Sequence, residues 1–293
     1  MRGAGSGLVL GLHRSGHDRL ILEHALTTGI RALDTAYNYR RFTSHRTLAS
    51  TAADLLGEFT ISTKVGFFPG ERGTPVHSLD PVRLRDAIDE SATTLGVVPE
   101  VVFLHNPERA LPGTDPAAEL DRLATACQAL DEARTAGLCR SWGLSSWDTR
   151  PLAAALPDTT AAAGIPVPRV LMVRAGLLVT ADVLDTSEHL ADIFGLPTGA
   201  RWGMSPFGGN AAHPVWDTVD PREFLAPQQN STVAQAVLRV AFTLPAVGRI
   251  AVGTDNPAHL DALIAATGLE IDHEKVARYR DLLRARMVRT AAR

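Results

Sequence analysis

"GIRALDTAYNYRR", residues 29–41, reads as a short apolar strand that stops on Asp34 and opens into a loop carrying two of the chain's three tyrosines, Tyr37 and Tyr39. A helix-like run, "RTLASTAADLL" (46–56), follows. This strand–loop–helix unit repeats in both directions. Upstream lie "GLVLGL" (7–12) and the amphipathic "DRLILEHALTTG" (18–29). Downstream come the strands "FTISTKVGF" (59–67), "EVVFLH" (100–105), "CRSWGLS" (139–145), "PRVLMV" (168–173), "ARWGM" (200–204) and "GRIAVG" (248–253). Helical patterns fall at 80–96, 117–137, about 181–194, 231–243 and 257–267. Alternating β and α units call for a parallel sheet, because parallel strands need long crossovers. Eight strands across 293 residues, without a composition break or a sequence-level repeat, predict an α/β fold: a (β/α)8 TIM barrel. It forms one domain over 1–293, with a C-terminal extra helix at about 272–291. A doubly wound nucleotide-binding sheet is disfavoured, because "GLVLGLHRSG" lacks GxGxxG spacing after the first strand.

A hydrophobic content of 45% is ample for a large core, and a net charge of −3 comes with no basic stripe or acidic tail. Nucleic acid and anionic membranes are therefore poor partners. No apolar run approaches the roughly 20 residues of a membrane helix. The opening "MRGAGSGLVLGLHRSGHD" has too short an apolar part for a secretory leader, so a cytoplasmic location is expected. Cys127 and Cys139 lack metal-ligand spacing and make no disulfide framework, and no metal is expected. Lysine is scarce, occurring only at Lys64 and Lys275. A lysine kept in an arginine-rich background points to chemistry that needs a compact ammonium with a tunable pKa. The argument is weak for Lys275, in a charged helical run. It is stronger for Lys64, which is flanked by apolar residues in "FTISTKVGFF" and must be desolvated or paired.

In such barrels the chemistry gathers at the C-terminal strand ends. Those ends carry Asp34, with Tyr39 in the loop behind it, then Lys64 and His105. Singly, each has a structural explanation: an Asp capping a loop, a Tyr packed with a hydrogen-bonded tip, a satisfied histidine. Four of them on successive strands, all at the chemical end, argue for a joint role.

In chain order, "LDTAYNY", "STKVG", "VVFLHNPE", "WGLSS", "MSPFGG" and "VGTDNPAHL" resemble the aldo-keto reductase family. The likeness runs from "GLVLGL" to "HLDAL" and implies NAD(P)H-linked reduction of a small carbonyl compound, or oxidation of the alcohol. It implies Tyr39, five residues past Asp34, as general acid, with Tyr37 as a wall or packing residue. Lys64 would pull the phenol below its usual pKa of about 10. Asp34 would hold Lys64 charged, and His105 would polarise the carbonyl oxygen. For the cofactor, NADPH or NADH, it implies Ser145, Ser146 and Met172 at the carboxamide and Met204 at the nicotinamide ring. Ser205 and Phe207 would follow the pyrophosphate, and Gly253, Thr254, Asp255 and His259 would take the far phosphate and ribose.

Several of these positions depart from the family pattern. Ser146, Met172 and Met204 replace the usual asparagine, glutamine and aromatic, and Leu263 an adenine-side asparagine. Asp255 stands near the place of an arginine that grips the 2′-phosphate. A carboxylate there repels phosphate and accepts from a free ribose hydroxyl, a leaning to NADH against the family's leaning to NADPH. The altered pocket leaves two alternatives open: a non-redox acid–base enzyme (dehydratase, cyclase or epimerase) and a nucleotide-sensing protein without turnover. Phe67 and Trp147 are expected substrate walls, with His13, Phe68, Trp142 and Phe207 as further candidates. Arg14 and Arg40 read as solvated cations near the mouth. The loop "FGGNAAHPVWDTVDPREFLAPQQN" (207–230) is a candidate lid. The hairpin that commonly closes the barrel floor is expected to be short or absent.

Overall fold

The computed structural model describes residues 7–111, 115–156 and 164–291, with side chains as far as residue 287. In chain order the elements are β1 (Leu8–Gly11), α1 (Arg19–Thr27), β2 (Ala32–Asp34), α2 (Tyr39–Phe42), α3 (Ser44–Leu56), β3 (Thr60–Val65), β4 (Phe67–Pro69), β5 (Pro75–His77), α4 (Pro81–Leu95) and β6 (Val101–His105). They continue with α5 (Pro116–Thr135), β7 (Ser141–Ser146), α6 (Arg150–Ala155), β8 (Val170–Arg174), α7 (Ala181–Ile193), β9 (Arg201–Met204), α8 (Val233–Ala241), β10 (Arg249–Val252), α9 (Pro257–Ala266) and α10 (His273–Ala291). β1 pairs in parallel with both β2 (Leu10↔Leu33) and β10 (Val9↔Ala251). That double pairing closes an eight-stranded barrel in the order β1-β10-β9-β8-β7-β6-β3-β2, as the alternation of strands and helices predicts.

Strand alternation sorts the side chains into two layers. One set points inward and plugs the barrel: Val9, Val101, Phe103, Val170, Met172 and Trp202, with Phe103 edge-on to Trp202 at 5.4 Å. The other set, such as Leu8, Leu10, Leu33 and Ile61, packs outward against the helices. Fully burying one such side chain stabilises the fold by roughly 1.5–3 kcal/mol. Helix ends follow capping chemistry: Asp80 accepts from the Arg83 N–H with Pro81 at the first helical position, and Thr232 and Gln235 cap α8 reciprocally.

Two stretches differ from expectation. The predicted strand 59–67 breaks at Gly66 (φ 136°), and the chain leaves the barrel as an antiparallel hairpin, β4–β5, with Phe67 opposite His77. The β7–β8 connection also contains α6, which the alanine-rich sequence around it hid. The appended helix is where it was expected. Its Tyr279 hydroxyl donates to Leu177 O at 2.6 Å, and its Arg280 and Arg284 pair with Asp185. The floor-hairpin expectation falls on residues 1–6, outside the described residues. Among the described residues no helix is long and apolar enough to cross a membrane.

Candidate active site

Register brings the polar strand ends together. Asp34, the last residue of β2, lies opposite Ser62, and Lys64 lies opposite the inward Phe103. Lys64 therefore points into the barrel mouth, and it is only 2% exposed. Its Nζ forms a short ion pair with Asp34, donates to Thr35 O at 3.0 Å, and donates to the Tyr39 hydroxyl at 3.3 Å. Three acceptors match the ammonium's three protons, which is what a buried lysine requires. Ser62 Oγ holds the second face of Asp34, donating to Oδ1 at 2.8 Å. Tyr39 lies between two imidazoles, edge-on to His13 at 4.9 Å and to His105 at 6.3 Å.

The electrostatics follow from burial and these partners. Burial opposes charge on Lys64, but Asp34 and Tyr39 more than offset it and its pKa is raised. Burial raises the Tyr39 pKa, with Lys64 pulling the other way and Asp34 adding to the rise. This corrects the expectation of a lowered phenol pKa: desolvation exceeds the pull of the ammonium. His105 is held well below its ordinary value, first by burial and then by the Lys64 charge, so its ring is neutral. Its Nδ1 is buried and has no hydrogen-bond partner. A protonated phenol, a charged ammonium and a neutral imidazole thus face one point. Together they can give a proton to an oxygen and stabilise the charge that moves with it.

That point is the floor of a cavity of about 810 Å³. Asp34, Tyr39, Lys64 and His105 all line it, as do Phe67, Trp147, Met172, Met204, Ser205, Phe207, Gly253, Thr254 and His259. Gly253 is needed where it stands, because a Cβ would come within 2.5 Å of Gly11 O. The cavity runs from the acid–base floor to Thr232 and Gln235 on α8 and to Ala262 and Leu263 on α9.

Other expected residues lie elsewhere. Ser145 is fully buried beside the lining residues His105 and Met172, and its Oγ has no partner, leaving it a hydrogen bond to give. Ser146, one residue on, shares the opposite face with the outward Val173. Asp255 does not line the cavity: its carboxylate accepts from Ser15 Oγ at 2.5 Å and from Gly16 N–H at 2.8 Å. Phe68 lies under the Arg83 guanidinium (4.3 Å), away from the cavity, and Trp142 is buried on the helix side, donating to Asp131 at 3.0 Å. Neither is a wall. Tyr37 is a packing residue whose hydroxyl donates to Glu90. Arg14 lines the cavity and donates to Gly209 O at 2.7 Å, while Arg40 staples the β1 loop through Ser15 O and Gly16 O. Of the candidate lid, only the start (207 and 209–211) lines the cavity; its far half is fastened by the Leu225–Ile271 bridge. Sequence reasoning gave no role to Ser15, His77 or Glu108. Glu108, inside "VVFLHNPE", is buried and accepts from the Trp147 and Asp148 N–H groups. Burial raises its pKa.

The aldo-keto reductase profile ("Aldo/keto reductase family") matches residues 17–191, more than half the chain. The chain belongs to the aldo-keto reductase family. No curated protein matches it in sequence. Solved structures share the fold at low identity. An aldo-keto reductase of Bacillus halodurans in its holo form aligns with a TM-score of 0.70 at 18% identity, covering 94% of this chain and 91% of that one. An aldo-keto reductase of Klebsiella pneumoniae in complex with NADPH gives 0.63 at 18%, covering 94% and 90%. The Pseudomonas aeruginosa protein PA4992 gives 0.61 at 22%, covering 90% and 94%. Membership supports an NAD(P)H-dependent oxidoreductase. Among the described residues no group of His, Cys, Asp and Glu could hold a metal ion.

Proposed function

We propose that this aldo-keto reductase interconverts a small carbonyl compound and its alcohol, with Tyr39 as the proton donor and acceptor. The observation that carries the reading is the saturated Lys64 ammonium, buried against Asp34 and the Tyr39 hydroxyl at the floor of the cavity. Tyr39 gives its proton to the carbonyl oxygen, and the fixed charge on Lys64 stabilises the phenolate left behind. Asp34 keeps Lys64 charged and aimed. Neutral His105 donates to the same oxygen and orients the carbonyl. Phe67 and Trp147 wall the substrate and keep water from the reacting bond.

The cavity's continuation to α8 and α9 fits NADPH or NADH, which would supply the hydride when bound. Ser145 would meet the carboxamide, Met172 and Met204 the ring, Ser205, Phe207 and the Gly253–Thr254 backbone the phosphates, and His259 the far end. The Klebsiella relative's NADPH complex favours the same ligand for this chain. Asp255, committed to Ser15 and Gly16, no longer argues for NADH. The test is titration with NADPH and NADH separately, followed by loss of absorbance near 340 nm with aldehyde probes such as 4-nitrobenzaldehyde. Binding with consumption supports the reading. Binding without consumption of any probe points to a sensor, and no binding up to about millimolar, where affinity is worth only ~4 kcal/mol, sinks it.

A further inference from the structure

We propose that His77, on the hairpin outside the barrel, is the residue that positions His105 for its work on the carbonyl. This rests on the reading of His105 given above. The β3–β6 ladder ends at Val65↔Leu104, one residue before His105. Beyond it Gly66 turns the chain out of the barrel, passing so close that a Cβ there would sit 3.1 Å from His105 O. The strand that would have continued the ladder is gone, and His77 reaches back in its stead: its Nε2–H donates to His105 O at 2.9 Å. A side chain thus takes the place of a ladder donor at the residue that carries the imidazole.

The same ring acts on the His105 side chain through Phe67. His77 packs edge-on against Phe67 at 4.8 Å, and Phe67 packs edge-on against His105 at 5.0 Å. Arg109 covers Phe67 at 5.5 Å and completes that stack. Among the described residues no group holds the His105 ring by its buried Nδ1, which has no hydrogen-bond partner. Ring direction therefore depends on the clamp on its backbone, which His77 makes, and on the ring edges of Tyr39 and of Phe67, the latter backed by His77. The return of β5 is itself secured, with Ser78 N–H donating to Gly66 O at 2.9 Å. Held in this way, His105 keeps its donor aimed where the carbonyl oxygen sits. A misdirected donor loses most of its hydrogen bond.

The experiment compares His77→Leu, which removes the donor, with His77→Gln, whose amide nitrogen can take the place of Nε2. Turnover of 4-nitrobenzaldehyde, affinity for NADPH and 15N spectra of histidine-labelled protein are read for each. His77→Leu should lower kcat about tenfold, leave NADPH affinity within twofold, and shift the His105 ring nitrogens. His77→Gln should restore kcat to within threefold. Unchanged kcat and unchanged His105 signals in His77→Leu would overturn the proposal, as would an equal loss in both variants or a parallel loss of NADPH binding. Should the parent protein reduce no aldehyde, the spectra still decide it: the His105 shift in His77→Leu and its reversal in His77→Gln report positioning without turnover.

Discussion

The two ends of the one cavity are built in opposite ways. At the Tyr39 end the polar groups sit on strand termini or one turn beyond, are buried, and spend their bonds on one another: Lys64 on Asp34, Thr35 and Tyr39, and Asp34 on Ser62. At the far end the lining is loop and helix start, and several nearby polar side chains are spent on their own chain. Asp255 holds Ser15 and Gly16, Asn256 accepts from Ala258 N–H, and Gln235 caps α8 and donates to Ala262 O. The difference has a physical cause. A buried charge without its partner costs several kcal/mol, so few residue types fit at the Tyr39 end. Backbone amides and apolar walls can take a phosphate or a ring with many side-chain sequences, so at this end Leu263 can stand where the family pattern has an asparagine.

The comparison can be broken most sharply at Lys64. Lys64→Met should abolish turnover, with a drop of roughly 10²–10⁴, and should also destabilise the fold by about 3–5 kcal/mol because Asp34 is left buried and unpaired. Adding Asp34→Asn should recover most of the stability and none of the turnover. Urea midpoints and 340 nm rates measure the two separately. If the single variant kept its midpoint, the Lys64–Asp34 pair would not be what holds the Tyr39 end together. Tyr39→Phe should come next: turnover falls by roughly 10²–10³ while the NADPH affinity and the fold remain. Tyr37→Phe should leave kcat within about twofold, since its hydroxyl is engaged by Glu90 outside the cavity.

What could be read from the sequence divides along the same line. Alternating strands and helices foretold the barrel, and a lone lysine among apolar residues foretold a buried, partnered charge, because both are consequences of burial that leave a local pattern. The reading of Asp255 toward a ribose missed its partners, Ser15 and Gly16, because they lie about 240 residues away and no local spacing announces them. Phe68 and Trp142 could be named only as candidate walls, each as readily packing, because an aromatic in a strand shows no face until register is known. The phenol pKa was misjudged in sign because a neighbouring charge is visible in sequence whereas desolvation is a property of the assembled site.

Acid should act on the fold through a buried histidine packed behind β3. His45, 6% exposed and bonded to Thr63 beside Lys64, is held at a pKa of about 4, chiefly by burial and then by the His17 and Lys64 charges. An unfolded histidine titrates near 6.5. Between these values the unfolded chain binds the extra proton, so stability falls as pH drops from about 6.5 to 4, by at most roughly 3 kcal/mol for this group. Melting midpoints followed across that window should decline, and His45→Asn should flatten part of the slope. A slope unchanged in that variant would remove His45 as its source.

The smallest expected effect decides what Asp255 does. If its carboxylate is a latch between the β10 and β1 loops, Ser15→Ala and Asp255→Ala each remove one or more hydrogen bonds worth about 1 kcal/mol. Both should then speed NADPH dissociation about fivefold, and the double variant should add little, because the two residues share one interaction. Neither should change the ratio of NADPH to NADH affinity. If Asp255 instead turns to meet a bound ribose, Asp255→Ala alone should move that ratio, and its effect should add to that of Ser15→Ala. Stopped-flow dissociation rates for the two single variants and the double, with both nucleotides, separate the cases. Coupling without a ratio change means the far end grips its ligand by closing loops over it rather than by reading its phosphate.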